Sequence, residues 1–254
     1  MSRLQEALRA ASLRYGTSAP DDDEFSSIPV LSTGIVPLDG ATGCGGLPRG
    51  RLTELFGPPG CGKTAVALRV VAQAQHRGTV AFIDADRTFS PKRASQLGVK
   101  LPTLLVCQPE DGRQAMTMAE QLTVSGALAL VVVDSAIGLA PLDASEQGPA
   151  SVLSVSLRSL CAHAYETGTT LLFLNQLGQR PGICWGRGED AAEGDALKFH
   201  STLRLELWPR AALYARGEVV GARLRVRAVK NRLRPPYGRA LFDLRFADGV
   251  ISSV

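Results

Sequence analysis

The sequence has few of the residues from which metal sites and disulfide frameworks are built. Its 254 residues include five cysteines, with no C-x-x-C pair, and three scattered histidines. A zinc site is therefore not expected, because such sites need closely spaced Cys and His ligands. One cysteine, Cys61, lies in a glycine-rich stretch that has the spacing of a phosphate-binding loop. Oxidation there would add bulk where a phosphate must fit, so we expect a reducing compartment.

Long apolar runs are also missing. No run approaches the roughly 20 residues that a membrane-spanning helix needs, and the N-terminus lacks the pattern of a signal peptide. We therefore predict a cytoplasmic chain without a membrane partner. Hydrophobic residues make up 45% of the sequence, which is ample for a sizeable core.

Charge is unevenly distributed along the chain. From Arg204 to the end, eleven Lys/Arg outnumber four Asp/Glu for a net charge of +7, whereas the preceding residues carry −3. Such a basic segment is typical of a protein that meets a polyanion or an acidic partner. A solvated strand face would explain the same composition equally well.

One glycine-rich stretch fits the phosphate-loop spacing G-x-x-x-x-G-K-[ST]. A strand-like run, 52–56, precedes it and a helix-like run, 65–75, follows it. This context disfavours the alternative of a surface turn. The stretch consists of Gly57, Pro58, Pro59, Gly60, Cys61, Gly62, Lys63 and Thr64.

The residue types in this stretch suit a nucleoside triphosphate. Glycines allow successive backbone N–H groups to turn inward around phosphates, and the first turn of the next helix adds its free N–H groups. Lys63 would reach the β- and γ-phosphates, and the Thr64 hydroxyl would hold Mg²⁺. We therefore predict ATP and Mg²⁺ as cofactors.

Residues 1–27 differ from the rest of the chain. Apolar residues at helical spacing predict a short helix over 2–15, and the aperiodic, Asp-rich stretch 17–27 is typical of a flexible linker. The helix could dock on another molecule or pack on its own domain. We predict two parts, with 1–27 as helix and linker and 28–254 as the core domain.

From residue 31 onward, strand and helix patterns alternate. Continuous apolar strands such as L-A-L-V-V-V predict an α/β fold with a mainly parallel sheet flanked by helices. Ser90 followed by Pro91, and Asp111, are expected to cap helices. After residue 200, runs at 202–208, 219–229 and 240–246 follow without helices and predict an antiparallel extension.

Polar side chains follow three of the predicted strands. Asp134 ends the run 128–133 and could hold Mg²⁺ beside a triphosphate, or begin an ordinary turn. Either Asp84 or Asp86 could orient an attacking water, while the other caps a turn. Gln176, at another strand end, could sense the γ-phosphate through a hydrogen bond.

The loop after Gln176 combines features that attract and repel nucleic acid. Trp185 could stack on a base, and Arg180 and Arg187 could contact phosphates. Four acidic residues of the same loop, Glu189, Asp190, Glu193 and Asp195, would repel a DNA backbone. A surface loop without a ligand is the alternative.

Several segments in order resemble the bacterial RecA recombinase family across nearly the full chain. They are L-S-T-G at 31–34, G-G-L-P-R-G at 45–50, the phosphate loop, A-F-I-D-A-D at 81–86, V-V-V-D-S at 131–135, F-L-N-Q at 173–176, A-L-K-F at 196–199 and V-K-N-R at 229–232. The resemblance implies a RecA-type ATPase core that assembles head to tail on DNA, with ATP between subunits.

The resemblance also implies roles for individual residues. Lys63, Thr64 and Asp134 match the family's phosphate and Mg²⁺ positions, and Gln176 matches its γ-phosphate sensor. Lys230 and Arg232 match the basic pair that reaches a neighbour's ATP. A cation supplied in trans would couple nucleotide binding to assembly.

Three departures from the family pattern shape the functional hypothesis. Asp86 stands where the family has a catalytic Glu, and the missing methylene would withdraw the base by about an ångström, so hydrolysis is expected to be slow or absent. The first DNA-binding loop, about Leu142 to Ala150, is shorter. The sequence also stops at Val254, where the family's core ends, so we expect the duplex-gathering C-terminal domain to be missing.

The resulting hypothesis is an accessory or regulatory RecA-like protein. It most resembles the short RecA-like partner of mutagenic translesion polymerases, which would act in the SOS response and bind RecA, a polymerase-associated protein and single-stranded DNA. The alternative is a minimal recombinase with a DNA-stimulated ATPase and strand-exchange activity. Circadian or helicase branches of the superfamily fit less well, because A-L-K-F and V-K-N-R match the recombinase branch.

Overall fold

The computed structural model describes residues 28–139, 149–177, 195–246 and 251–253. The strands are β1 Val30–Leu31, β2 Leu47–Pro48, β3 Leu52–Gly57, β4 Thr79–Asp84, β5 Leu104–Cys107, β6 Leu128–Asp134, β7 Thr170–Gln176, β8 Leu203–Ala215, β9 Glu218–Asn231, β10 Arg239–Arg245 and β11 Ile251–Ser253. The helices are α1 Val36–Ala41, α2 Lys63–Ala74, α3 Pro91–Gln96, α4 Gly112–Val124, α5 Pro149–Thr167 and α6 Asp195–His200, with short 3-10 turns at Leu101–Thr103 and Ala136–Leu139.

Nine of these strands form one sheet in the order β11-β10-β9-β8-β3-β7-β6-β4-β5. The six strands from β8 to β5 in this order run parallel to one another. The predicted α/β fold with a mainly parallel sheet is confirmed. β1 and β2 form a separate antiparallel pair.

The predicted antiparallel extension is also confirmed, because β9, β10 and β11 each run antiparallel to the preceding strand. The hairpin of β8 and β9 is longer than the sequence pattern indicated. Arg216 and Gly217 connect it with φ values of 52° and 84°, and positive φ at both central positions is typical of a tight hairpin turn.

Helices cover both faces of the parallel region, which explains its continuous apolar strands. All seven residues of β6 are buried. One core cluster, which includes Leu68 and Val71, packs α2 against one face, and a second, which includes Ala115 and Leu157, packs α4 and α5 against the other.

Two predicted helix caps are present. The Ser90 side chain accepts a hydrogen bond from the backbone N–H of Arg93, and Pro91 follows at the first helical position. Asp111 accepts from the N–H of Gln114 at 2.7 Å. Each cap satisfies a donor that the helix leaves without a partner.

Within the described residues, no helix combines the length and apolar character needed to cross a lipid bilayer. Three segments singled out from the sequence lie outside the described residues. They are the helix and linker at 1–27, most of the loop from Leu142 to Ala150, and the loop residues 178–194, which include Arg180, Trp185 and Arg187.

Candidate functional site

The carboxyl ends of four parallel strands bring several of the predicted site residues to one edge of the sheet. Gly57, the last residue of β3, pairs with Gln176, the last residue of β7. Asp84 at the end of β4 likewise pairs with Asp134 at the end of β6. In open α/β sheets this edge is where ligands bind, so the topology gathers residues that are far apart in sequence.

The loop between β3 and α2 follows the conformation that its glycines allow. Gly60 and Gly62 have φ values of 72° and 95°, in the left-handed region that glycine adopts without strain. Gly62 is the N-cap of α2, a helix of 12 residues. The loop therefore ends at a helix N-terminus, whose free N–H groups and positive dipole end suit an anion.

Gly57 is restricted by the neighbouring strand. A β-carbon at this position would lie 2.2 Å from the carbonyl oxygen of Leu207 and 2.9 Å from the Cys61 sulfur. No side chain fits at the start of the loop, because the β8 backbone passes beside it.

Lys63 lies folded over the start of the loop. Its Nζ donates hydrogen bonds to the carbonyl oxygens of Gly57 at 3.0 Å and Pro58 at 2.9 Å. Burial lowers the pKa of this ammonium, and the nearby Cys61 and Asp134 oppose that effect. Within the described residues its hydrogen-bonding oxygens are neutral carbonyls, so its positive charge is not balanced by a direct carboxylate contact.

Thr64 and Asp134 form the part of the site that suits a divalent cation. The Thr64 hydroxyl donates to the Oδ2 atom of Asp134 at 2.8 Å. Burial, and to a smaller degree the charges of Asp86 and Asp84, raise the pKa of Asp134 to about 6, while the Thr64 hydrogen bond and Lys63 lower it. A hydroxyl and a carboxylate oxygen at this separation are ligands that Mg²⁺ accepts.

The two aspartates after β4 have different environments. Asp84 is fully buried and accepts hydrogen bonds from the N–H groups of Thr88 and Phe89 and from the side-chain amide of Gln108. Its oxygens are thus committed to holding the turn. Asp86 is exposed, and its Oδ2 accepts one hydrogen bond from the Ser135 hydroxyl at 2.8 Å. Of the pair, Asp86 is the carboxylate available to solvent beside Asp134.

Gln176 is held by its backbone. Its N–H donates to the Oδ1 atom of Asn175 at 2.9 Å, and the N–H of Leu177 donates to the Gly57 carbonyl at 3.1 Å. The end of β7 is thereby fixed against the start of the phosphate loop, and the half-buried Gln176 side chain lies at their junction.

A buried polar group that the sequence analysis missed lies behind these residues. Asn175 Nδ2 donates to Glu54 Oε1 at 2.9 Å, and Glu54 Oε2 is paired with Arg204 Nε. Asn175 and Glu54 are fully buried and Arg204 is 7% exposed. The signal was present in the sequence, because a Glu within the otherwise buried run L-T-E-L-F requires a cationic partner.

Lys230 and Arg232 are not brought to the phosphate loop of their own chain. Lys230 Nζ donates to the carbonyls of Lys198 at 2.6 Å and Phe199 at 3.0 Å, and Arg232 donates to Phe199 at 2.8 Å. Both cations thus hold the last turn of α6, where carbonyls have no partner within the helix. Burial, followed by the charges of Arg232 and Arg204, lowers the pKa of Lys230 to about 8, while Glu54 opposes this.

Comparison with known proteins agrees with this arrangement. The family profile described as "RecA N-terminal domain" matches residues 3–251. Protein RecA of Aquifex pyrophilus is 41% identical over 262 residues, which cover 98% of this chain and 75% of the relative. Protein RecA of Chlorobium chlorochromatii (strain CaD3) is 41% identical over 263 residues, with 98% and 74% covered.

A solved structure shares the fold. The crystal structure of the RadB recombinase matches with a TM-score of 0.68 and 26% sequence identity. The match covers 89% of this chain and 100% of the RadB chain.

Proposed function

The chain belongs to the RecA family, and on this premise we propose that it is an ATP-binding protein of DNA repair and recombination. The observation that carries the nucleotide site is the contact of Thr64 with Asp134 at the N-terminus of α2. Backbone N–H groups of residues 57–64 and the Lys63 ammonium would hold the phosphates, and Thr64 and Asp134 would hold Mg²⁺. The bound metal would neutralise phosphate charge.

We further propose that nucleotide binding serves assembly more than turnover. Asp86 has one methylene fewer than the Glu expected from the family resemblance, and the Ser135 hydroxyl already occupies one of its oxygens. A carboxylate withdrawn by about an ångström is a poor base for an attacking water, and such misplacement costs about 100-fold in rate. ATP would then act as a ligand that stabilises an assembled state.

Lys230 and Arg232 would provide the link between nucleotide and assembly. They are fixed near α6 and make no hydrogen bond to the phosphate loop within the described part of their own chain. A second subunit, either RecA or another copy, could therefore receive them at its triphosphate. A site completed in trans makes binding and assembly interdependent.

On these features we propose an accessory or regulatory role. Its place in the SOS response and translesion synthesis, with RecA, a polymerase-associated protein and single-stranded DNA as partners, rests on the resemblance found in the sequence. The strongly basic C-terminal strands suit an acidic partner or a polyanion. The candidate contacts Arg180, Trp185 and Arg187 remain predictions from the sequence.

A second candidate function is a minimal recombinase that hydrolyses ATP when single-stranded DNA is bound. The match to the RadB recombinase supports this alternative, because it covers the whole length of the RadB chain. Lys63, Thr64, Asp134 and Gln176 are all in place for this activity as well.

ATP turnover with and without single-stranded DNA separates the two functions. The accessory role predicts tight ATP binding with negligible turnover in both conditions. A DNA-stimulated rate of about 1 s⁻¹ or more, typical of enzymes, would favour the recombinase instead.

A pull-down tests the proposed partners directly. Purified protein with ATP and Mg²⁺ should retain RecA and the polymerase-associated protein, and the variant Lys63→Ala should retain less of each. Failure to bind either protein, together with robust strand exchange, would overturn the accessory role.

A further inference from the structure

Glu54, Arg204 and Asn175 form a chain of polar contacts across three adjacent strands. Arg204 of β8 lies directly opposite Glu54 of β3, and Asn175 of β7 lies on the other side of β3, opposite Phe56. Glu54 joins them by accepting from Arg204 Nε with one oxygen and from Asn175 Nδ2 with the other.

The polar contacts of Glu54, Arg204 and Asn175 are costly to bury. Desolvating a carboxylate and a guanidinium costs several kcal/mol for each ion, and well-packed apolar residues often serve stability as well or better. The guanidinium also lies 4.5 Å over the Phe56 ring, so one of its faces is covered by an apolar side chain. A stable sheet does not by itself require these three residues, which points to a role in geometry.

The chemistry of the three side chains fixes the orientation of one amide. Arg204 has only donors, and an ionised Glu54 has only acceptors. Asn175 must therefore turn its NH₂ group toward Glu54, which leaves its Oδ1 facing the backbone N–H of Gln176 at 2.9 Å. The buried charge pair thus determines which atom meets the main chain at the end of β7.

We propose that Glu54 and Arg204 are positioning residues for Gln176. Acting through Asn175, they set the main chain from which the Gln176 side chain meets the γ-phosphate, and so determine how strongly ATP is preferred over ADP. This inference rests on the proposed nucleotide site and adds a cause for its specificity.

The isosteric variant Glu54→Gln tests the role with little change in packing. Arg204 would claim the carbonyl oxygen of the new amide, whose NH₂ group would then face Asn175. Asn175 would invert and present NH₂ to the N–H of Gln176, so two donors would meet. We expect the ratio of ATP to ADP affinity to fall about tenfold, as for loss of one hydrogen bond to a charged group, with ADP affinity little changed.

A second substitution should reverse the effect. In Glu54→Gln/Arg204→Met, no guanidinium claims the amide oxygen, so Asn175 can again donate to it and accept from Gln176. We expect the ATP preference to recover toward the wild-type value, although a buried amide then lacks a partner. A purely structural role predicts that the double variant is no better than the single one.

Titration of fluorescent ATP and ADP analogues against the full chain provides the measurement, with Gln176→Ala as the reference. Glu54→Gln should lower the ratio nearly as much as Gln176→Ala, and combining the two should lower it no further. If Glu54→Gln does not fold, Asn175→Ala replaces it as the test variant, because it leaves Glu54 paired with Arg204 and creates no unpaired buried charge.

The outcomes separate this inference from the proposed function. If Lys63→Ala weakens ATP binding but Glu54→Gln and Asn175→Ala keep the wild-type ratio, the positioning role is wrong and the nucleotide site stands. Equal losses of ATP and ADP affinity in Glu54→Gln, or an unchanged ratio in Gln176→Ala, would also overturn the inference. If the wild-type chain binds neither nucleotide, the proposed function itself fails.

Discussion

The hydroxyl of Thr64 donates a 2.8 Å hydrogen bond to Asp134, a residue 70 positions further along the chain. The bond connects the first turn of α2 to the end of β6 and places a carboxylate beside the N-terminus of that helix. Burial makes this carboxylate hard to ionise in the free protein, which gives a measurable dependence of stability on pH.

Asp134→Asn is expected to stabilise the metal-free protein at neutral and alkaline pH. Folding raises the pKa of Asp134 from 3.8 to about 6, so the folded state favours the protonated carboxyl. The contribution of Asp134 to the free energy of unfolding is therefore complete below pH 4 and is lost as pH rises through about 6. Asparagine is neutral throughout and still accepts from Thr64. The variant should gain up to about 3 kcal/mol in unfolding free energy at pH 8 and little at pH 4, measured by urea denaturation with a chelator.

Asp243→Asn provides a control of opposite sign. A hydrogen bond from Arg223 lowers the pKa of Asp243, so this carboxylate stabilises the fold above its unfolded pKa and loses the effect as pH falls through its folded value. The substitution should therefore lower stability at pH 8 and not at low pH. The prediction for Asp134 is wrong if both variants change stability in the same direction at pH 8.

Lys63→Ala should weaken ATP binding at least tenfold, because the triphosphate would lose its main fixed cation. Equilibrium filter binding measures the change. The exposed Lys100 supplies the matched control, since its backbone is hydrogen-bonded to Gln75 at the opposite end of α2 and Lys100→Ala removes the same charge away from the loop. Equal ATP affinity in the wild type and Lys63→Ala would show that the site is misplaced.

Asp86→Glu should raise ATP turnover, by up to about 100-fold if the missing methylene is the limiting defect. The longer side chain would carry its carboxylate further toward an attacking water. Steady-state phosphate release in the presence of single-stranded DNA measures the change. Asp86→Asn, which cannot act as a base, should stay at the background rate, and a Glu variant as slow as the Asn variant would contradict the proposed defect.

Assembly that depends on ATP should weaken as pH rises through about 8. The pKa of Lys230 lies near this value, because burial and neighbouring arginines disfavour its charged form, so its ammonium is lost within the working range. Lys230→Arg keeps its charge and should assemble equally at pH 7 and pH 9, as followed by light scattering. A parallel decline in both proteins would assign the pH dependence to another group. Lys100→Arg, at the far end of α2, should behave as the wild type.

The sequence was sufficient to predict elements whose signals are local. The buried strand β6 follows from a run of apolar residues, and α3 and α4 begin at the capping residues Ser90 and Asp111. The position of the strand-end residues at one edge of the sheet could also be predicted, because the carboxyl ends of parallel strands lie on the same side.

Other features depend on partners distant in sequence. The second half of β8 contains Pro209 and has no clear alternation, yet it is paired over its length by β9 with shifts in register. The partnership of Glu54 and Arg204 spans 150 positions, and no spacing rule indicates it. Whether Lys230 contacts α6 of its own chain or another molecule likewise depends on tertiary packing, and the motif V-K-N-R carries no information about that packing.

The close approach of Leu207 to Gly57 has a consequence for how this chain tolerates variation. A library randomised at position 57 should return only glycine even when it is screened for folded protein alone, because any larger residue would displace β8. An invariant glycine at the first position of the loop would then reflect the close approach of β8 as much as the requirements of nucleotide binding. The loop therefore cannot be transplanted as an eight-residue cassette without the strand that flanks it.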